Sequence, residues 1–470
     1  MAGTYVEGQS KELAGVYTLI KAMLTADIGS ARGIVAYPFT SNWGPVNTLT
    51  MVINQPEFEA KFNGKNTSLT AKKIHTHAFK GKPSKLLGYR MATSAAKKGT
   101  VILNDSTDVK SLELETLYPS DRSFIAVVKD GLAAGVKVIE ILEGSVLLAK
   151  VEDSTLDGLA SKLNVTDYVR VKSKGTVMPK NTAGEAFTGG NNGHSVTAAE
   201  YDAFRMEVEA DATANALALD IYDPAEIEAT KTWVKRVRDE GLYISFVSGG
   251  PSGWDTAVAD ANTASKAFNY RGIVNVGNGI GGYTGTEMAI YVAARVAAVE
   301  LNQQLTGELV DYSGASVNKK LTKSERIQAK AAGTLVFVQK GDFVYIDEGV
   351  NTLTVPTGFE VKEFGKIRVS NALDYIATSL EAFGEEYKRT RSNTSEARET
   401  YAALVEQEFY VPLVEREILQ PGATYRPDPD YHGKDAVYNA KIDEAFFVSG
   451  IQPVDGMEKI YQKIGVNFNA

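Results

Sequence analysis

A mixed α/β chain of several domains is what this sequence predicts. It reads as a helix-covered parallel-type sheet domain, an inserted antiparallel β-sandwich or barrel domain, and an α+β C-terminal domain, with extended strand arms at both ends. Three observations predict it. After residue 193, apolar runs of strand length alternate with helical ones, the pattern of a parallel sheet covered by helices. Between residues 100 and 187, short β-branched and aromatic runs follow one another closely with little helix, the pattern of an antiparallel sandwich or barrel. At the C-terminus Ile460, Gln462, Ile464, Val466 and Phe468 alternate with Tyr461, Lys463, Gly465, Asn467 and Asn469, as in a strand with one buried face.

The elements fall in order along the chain. Residues 1–27 hold one short apolar run, Val16, Tyr17, Thr18, Leu19 and Ile20, read as a strand on a loose leader. Residues 28–98 form an N-terminal α/β segment: strand 33–36, a Gly44-Pro45 turn, strand 49–53 and a helix around 57–62. Within the β-rich domain, 99–188, strands are expected at 101–103, 124–128, 137–142, 146–151 and 168–171, with one helix at 155–163. The run Gly189-Gly190-Asn191-Asn192-Gly193 closes it, because Gly and Asn tolerate positive φ. In the α/β domain, 189–355, strand 216–221 leads to helix 224–239, whose Pro224 suits a first helical turn. Strand 243–247 leads to helix 255–266, and strand 272–276 to an Ala-rich helix over 287–301. Another helix starts near Leu321 and precedes a hairpin, in which strand 334–339 is followed by a run beginning at Phe343 across Lys340-Gly341-Asp342. The C-terminal domain, 356–470, carries helices 367–388 and 395–418, a Pro-rich loop, two strand candidates and a C-terminal arm from about 454.

Composition narrows the function. A chain of 470 residues exceeds the size at which one core stops growing, and 44% hydrophobic with 23% charged residues lets each domain bury a core. A formal net charge of −8 without a long basic run argues against direct nucleic-acid binding. The absence of cysteine removes disulfides and thiolate metal sites, and fits assembly in a reducing cytoplasm. The first residues have no basic and apolar leader pattern and no apolar run reaches roughly 18 residues, so neither a classical export signal nor membrane insertion is expected.

Candidate chemistry is sparse. Gly277-Asn278-Gly279-Ile280-Gly281-Gly282 fits G-x-G-x-x-G between a strand and a helix, where glycines can let a pyrophosphate approach a helix N-terminus. It follows the third strand of its region, and position 302 about 20 residues on is Asn. The loop is therefore a dinucleotide site of an α/β enzyme or a structural glycine turn. The run from Ser248 to Trp254 approaches a nucleophile elbow but places Trp254 where the motif needs glycine. His75 and His77 would share a face on a strand, yet two ligands without a nearby acid fall short of a zinc set. No catalytic, cofactor or metal site is expected, and no cofactor. The C-terminal strand either adds an edge to its own domain or completes a sheet in a neighbour by β-augmentation.

One stretch carries a family likeness. Phe343-Val344-Tyr345-Ile346-Asp347-Glu348-Gly349-Val350-Asn351-Thr352-Leu353-Thr354 follows the Ala-rich helix, the break at Asn302, the Leu321-Thr322-Lys323-Ser324-Glu325 start and the first hairpin strand, and precedes two long charged helices. That succession resembles the C-terminal half of contractile-tail sheath proteins of myovirus tails, R-type bacteriocins and defective prophage particles. Leu13-Ala14-Gly15-Val16-Tyr17 and the run from Ile451 to Tyr461 are similar to the family's arms, with Ala14 in place of a proline. At Asn192 the family has an acid.

The resemblance implies a structural subunit and no enzyme. It implies hexameric rings stacked helically around a tail tube, contraction that drives the tube through a target envelope, and partners in itself, the tube protein, the baseplate and the tail terminator. It places the protein in a phage or bacteriocin particle assembled in the host cytoplasm. The arm strands exchanged between subunits would be Val16, Tyr17, Thr18, Leu19 and Ile20 and Ile460, Tyr461, Gln462, Lys463, Ile464, Gly465 and Val466. It also implies a tube-facing C-terminal domain, where Lys388, Arg389 and Arg391 would touch an acidic tube surface or complement their own helix dipole. Other classes left open are the dinucleotide enzyme and a non-contractile structural or adhesion protein.

Overall fold

The computed structural model describes residues 32–463, together with the backbone of Ala2–Gly3 and Val16–Tyr17. A mixed α/β fold with several sheets is borne out. The largest sheet has seven strands in the order Thr334–Leu335, Ile273–Val276, Ser245–Gly249, Ala216–Ala218, Ile34–Phe39, Lys85–Arg90 and Leu49–Val52. All neighbours are parallel except the edge strand Leu49–Val52. Because side chains alternate across a strand, Val35, Tyr37 and Phe39 enter one core and Ile34 and Ala36 the other. The Ala-rich helix Gly285–Ala298 fills the first core and is buried almost all round. Gly81 presses on it so closely that a Cβ there would stand 2.4 Å from the Ala294 methyl. Helices Ala198–Asp211 and Pro224–Asp239 cover the other face through Phe204, Val208, Trp233 and Val237.

Residues 28–98 and 189–355, read as separate segments, thus contribute strands to one sheet. The strand Lys85–Arg90 and the helix Ala198–Asp211 were missed by sequence reasoning. The first shows no alternation because five of its six residues are buried. The region of His75 and His77 is corrected: Ala71–His77 is a helix, so the two histidines lie on different faces.

Between the two halves of the sheet, residues 100–186 form two antiparallel sheets around a shared core. One orders Val146–Asp153, Lys137–Glu143, Phe124–Asp130 and Thr182–Ala186; the other Val169–Lys174, Lys110–Thr116 and Thr100–Asn104. The helix Leu156–Leu163, capped by the Thr155 hydroxyl at 3.0 Å from Gly158 N, adds Leu159 and Leu163 to that core. Arg90, fully buried, clamps the junction. Its guanidinium donates to Ser41 O at 2.9 Å, Gly44 O at 2.6 Å, Pro119 O at 2.8 Å and Asn192 O at 3.3 Å. Burial pulls its pKa down to about 9, with Asp121 acting against that.

The expected strand 334–339 is broken at Val336. The Asn278 side chain donates to Phe337 O at 2.9 Å and accepts from Phe337 N at 2.8 Å, so Phe337–Lys340 leaves the large sheet and pairs with Phe343–Ile346. Gly333 ends the preceding helix Lys323–Ala332 at φ 72°, where a Cβ would also stand 2.6 Å from Asn351 O.

A smaller compact body holds Tyr375–Pro412 and Thr424–Gly450, while residues up to Asp374, Leu413–Ala423 and the segment from Ile451 count with the larger body. The segment read as 356–470 is therefore divided between the two. Within the smaller body Tyr401 packs against Tyr387, Phe447 and Tyr425 at ring distances of 4.6, 5.1 and 5.8 Å. The expected helix 395–418 resolves into Ser395–Val405, a π-turn Glu406–Tyr410 and Val411–Glu415. Pro412 has no N–H to continue the α ladder, and the wider turn sits just before it.

Candidate functional site

The glycine loop is already occupied by the chain's own groups. Gly279 N donates to Asp255 Oδ1 at 2.7 Å, Gly282 N to Asn318 Oδ1 at 2.8 Å, and the Asn318 amide to Asp255 Oδ2 at 2.8 Å. The Thr284/Glu287 capping box takes up the N-terminus of the following helix. A pyrophosphate would meet a carboxylate at Asp255 instead of free N–H groups, so the glycines serve a structural turn. Each histidine likewise has a structural neighbour: Gln55 for His75, the Tyr312 hydroxyl at 2.6 Å for His77, Asn192 for His194, and Phe446 N for His432. Among the described residues no group of three or more His, Asp or Glu could hold a metal, and no helix is long and apolar enough to cross a membrane.

The Asn192 amide donates to Asp121 Oδ2 at 2.8 Å from a buried position. An acid here would set two carboxylates against one another.

The chain's C-terminal segment has a distinctive geometry. Gln420 N donates to Gln452 O at 2.8 Å and Val454 N to Ile418 O at 2.9 Å, with a bridge between Leu419 and Pro453. Gly456 then lies against the Gln304 carboxamide, which fills the space a Cβ would take. Two residues on, the Glu458 carboxylate turns inward. It accepts from the Thr306 hydroxyl at 2.8 Å and from the Lys366 ammonium, and lies 4.0 Å from Lys330. Thr306 Oγ1 in turn accepts Gly349 N at 2.8 Å, which ties this contact to the Gly349-Val350-Asn351 run. Burial pushes the Glu458 carboxyl up, but Lys366 and Thr306 outweigh it and hold it below the usual glutamate range.

Past Glu458 the described residues, Lys459 to Lys463, are all exposed. Met457, Ile460 and Tyr461 are 80, 70 and 89% exposed. Of the expected arm residues, Ile460, Tyr461, Gln462 and Lys463 are exposed and in no strand; Ile464, Gly465 and Val466 lie outside the described residues. At the other end Val16–Tyr17 pairs in parallel with Ala2–Gly3, and Thr18, Leu19 and Ile20 lie outside the described residues.

In the smaller body Thr424–Pro427 and Phe447–Gly450 form a two-stranded antiparallel sheet, Tyr425 opposite Ser449. One outer edge is blunted: Glu406 Oε1 accepts Tyr425 N at 2.7 Å, and Pro427 has no N–H. The other strand leaves Val448, Ser449 and Gly450 exposed. On the preceding helix Lys388 pairs with Glu385, and Arg389 with Glu386 at 2.8 Å, all exposed, while Arg391 lies just past the helix end. Much of that cationic charge is balanced one turn away. The Glu458 contact was not foreseen; a single acid in a polar tail gives no signal by itself.

Residues 194–352 match the family described as phage tail sheath protein central domain. The chain is 23% identical over 507 aligned positions to the phage-like element PBSX protein XkdK of Bacillus subtilis, covering 99% of both. Among solved structures, the sheath tail protein of Desulfitobacterium hafniense superposes with a TM-score of 0.71 at 23% identity, over 94% of this chain and 100% of that one. The helical sheath of the anti-feeding prophage in its contracted state gives 0.54 at 10% identity, over 97% and 99%.

Proposed function

We infer that this chain, whose resemblance to the contractile-tail sheath family is borne out and whose relatives are structural proteins and not enzymes, is the polymerising subunit of a contractile sheath. Subunits form hexameric rings stacked around a tail tube, and the stack shortens to drive the tube through the target envelope. Partners are other copies of the chain, the tube protein, the baseplate and the terminator, in a phage or bacteriocin particle assembled in the host cytoplasm.

The observation that carries this reading is the exposure of the described residues past the Glu458 contact, with apolar side chains at Ile460 and Tyr461 left in solvent. A sequence that alternates as a strand, and whose described start at Ile460 to Lys463 is exposed and in no strand, suits a pairing surface elsewhere. A two-stranded sheet is marginal alone and gains from added strands. The hairpin Thr424–Pro427 and Phe447–Gly450 is thus the natural acceptor for arms of neighbours. Main-chain ladders hold subunits while the bodies turn about the tethers. The work comes from the free-energy difference between two packings of one subunit, and a few kcal/mol each over a long lattice suffices.

Negative-stain imaging of the purified chain tests this. Cylinders are expected from the full chain and only dispersed subunits from a chain ending at Pro453. Undiminished cylinders from the shortened chain would reject arm exchange.

A further inference from the structure

We propose that Glu458 is the fixed pivot of the C-terminal arm: its clasp on Thr306 and Lys366 sets the point and direction from which the exchanged segment departs. This rests on the arm-exchange reading above and adds to it a positioning residue.

The geometry divides the tail sharply. Up to Glu458 the segment is stitched to its own body by the Gln420–Gln452 and Val454–Ile418 backbone bonds and by Gly456 against Gln304. Among the described residues Glu458 makes the last of these contacts, and it is the strongest in kind, because two charge-assisted donors converge on one half-buried carboxylate. Lys330, also beside it, is balanced by Glu348 at 2.6 Å. From Lys459 onward the described residues are exposed.

A strand that must add in register to a neighbour's edge cannot start from a floating base, since a slip of one residue turns every side chain to the wrong face. An anchored base also fixes reach. Each residue past Glu458 adds at most about 3.3–3.6 Å of reach toward the accepting sheet of a second copy. Without the clasp the free tether would begin at about Gly456 with its direction unset, and the effective concentration of the arm at its acceptor would fall.

The test uses the full chain with Glu458→Lys, Glu458→Gln, and the swap of Glu458→Lys with Lys366→Glu. Hydrogen exchange of residues 451–458 is measured below the polymerisation threshold, and the threshold itself by sedimentation. Glu458→Lys should speed exchange of that segment about tenfold and raise the threshold about tenfold, with thermal unfolding of the rest unchanged. The swap should restore both. Unchanged exchange, unchanged polymerisation despite opened exchange, or a swap that restores neither overturns the pivot. Should Glu458→Lys not fold, Glu458→Gln decides on the same two readouts. A chain ending at Lys459 separates the two ideas. If it polymerises like the full chain, arm exchange itself fails; if it does not, while Glu458→Lys does, only the pivot fails.

Discussion

Arg238, in the last turn of the helix Pro224–Asp239, donates to the carboxylate of Asp374 at 2.7 Å, and both side chains are almost wholly removed from solvent. Arg238 also donates to Ile244 O at 3.1 Å and lies over the Tyr243 and Tyr270 rings, while Arg271 approaches the same carboxylate at 3.6 Å. The pair joins the helical cover of the large sheet to the first turns of the helix Ile367–Thr390.

Removing one partner leaves a buried charge alone. Asp374→Ala should therefore cost about 3–5 kcal/mol in urea unfolding, while the double replacement Arg238→Met with Asp374→Leu should cost much less.

His77 makes the fold acid-sensitive. Burial pulls its pKa down to about 4, with Lys80 and Lys73 acting in the same direction and Glu287 against them. The folded value lies below the unfolded one of about 6.5, so the neutral ring's contribution is complete above that pH. It is lost as pH falls from about 6.5 to about 4, to a limit on the order of 3 kcal/mol. Urea midpoints across that range should flatten in His77→Phe.

Asn192→Asp should destabilise by about 1–3 kcal/mol at neutral pH, because the donor to Asp121 becomes a second carboxylate at the same distance. The loss should shrink on mild acidification, when one carboxyl takes a proton. Thermal unfolding at two pH values checks the sign.

Reversing Lys388, Arg389 and Arg391 together should leave folding within about 1 kcal/mol, since exposed i,i+3 pairs contribute little. Assembly on the tube should be lost if these side chains meet an acidic surface. Unchanged assembly with added tube protein, scored by electron microscopy, removes them from the interface.

Much of the fold was legible where local chemistry acts alone. Asp223 and Pro224 mark the start of the helix Pro224–Asp239 at the residue expected, through an N-cap that accepts two backbone N–H groups and a proline suited to the first turn. The Thr197/Glu200 capping box was equally visible but went unread, and the helix Ala198–Asp211 with it. The strand Lys85–Arg90 was not legible in the same way: it ends in an arginine, and its burial follows from carbonyls as far as 102 residues away. The hairpin strand at Phe343 was seen, but not that Asn278 would pull Phe337 out of the large sheet. At the candidate site, the alternation after Ile460 was plain and its anchor was not.

By itself the sequence determined many of the helix and strand segments, that the glycine run lies between a strand and a helix, and that the C-terminus has a strand's period. These follow from side-chain periodicity and capping, which act within a few residues. Tertiary structure alone decided which segments share a sheet, that Arg90 holds the junction of the inserted sheets, and that Glu458 meets Thr306 across 152 residues. The reason is physical: a charge's burial and partners depend on what the rest of the chain brings to it.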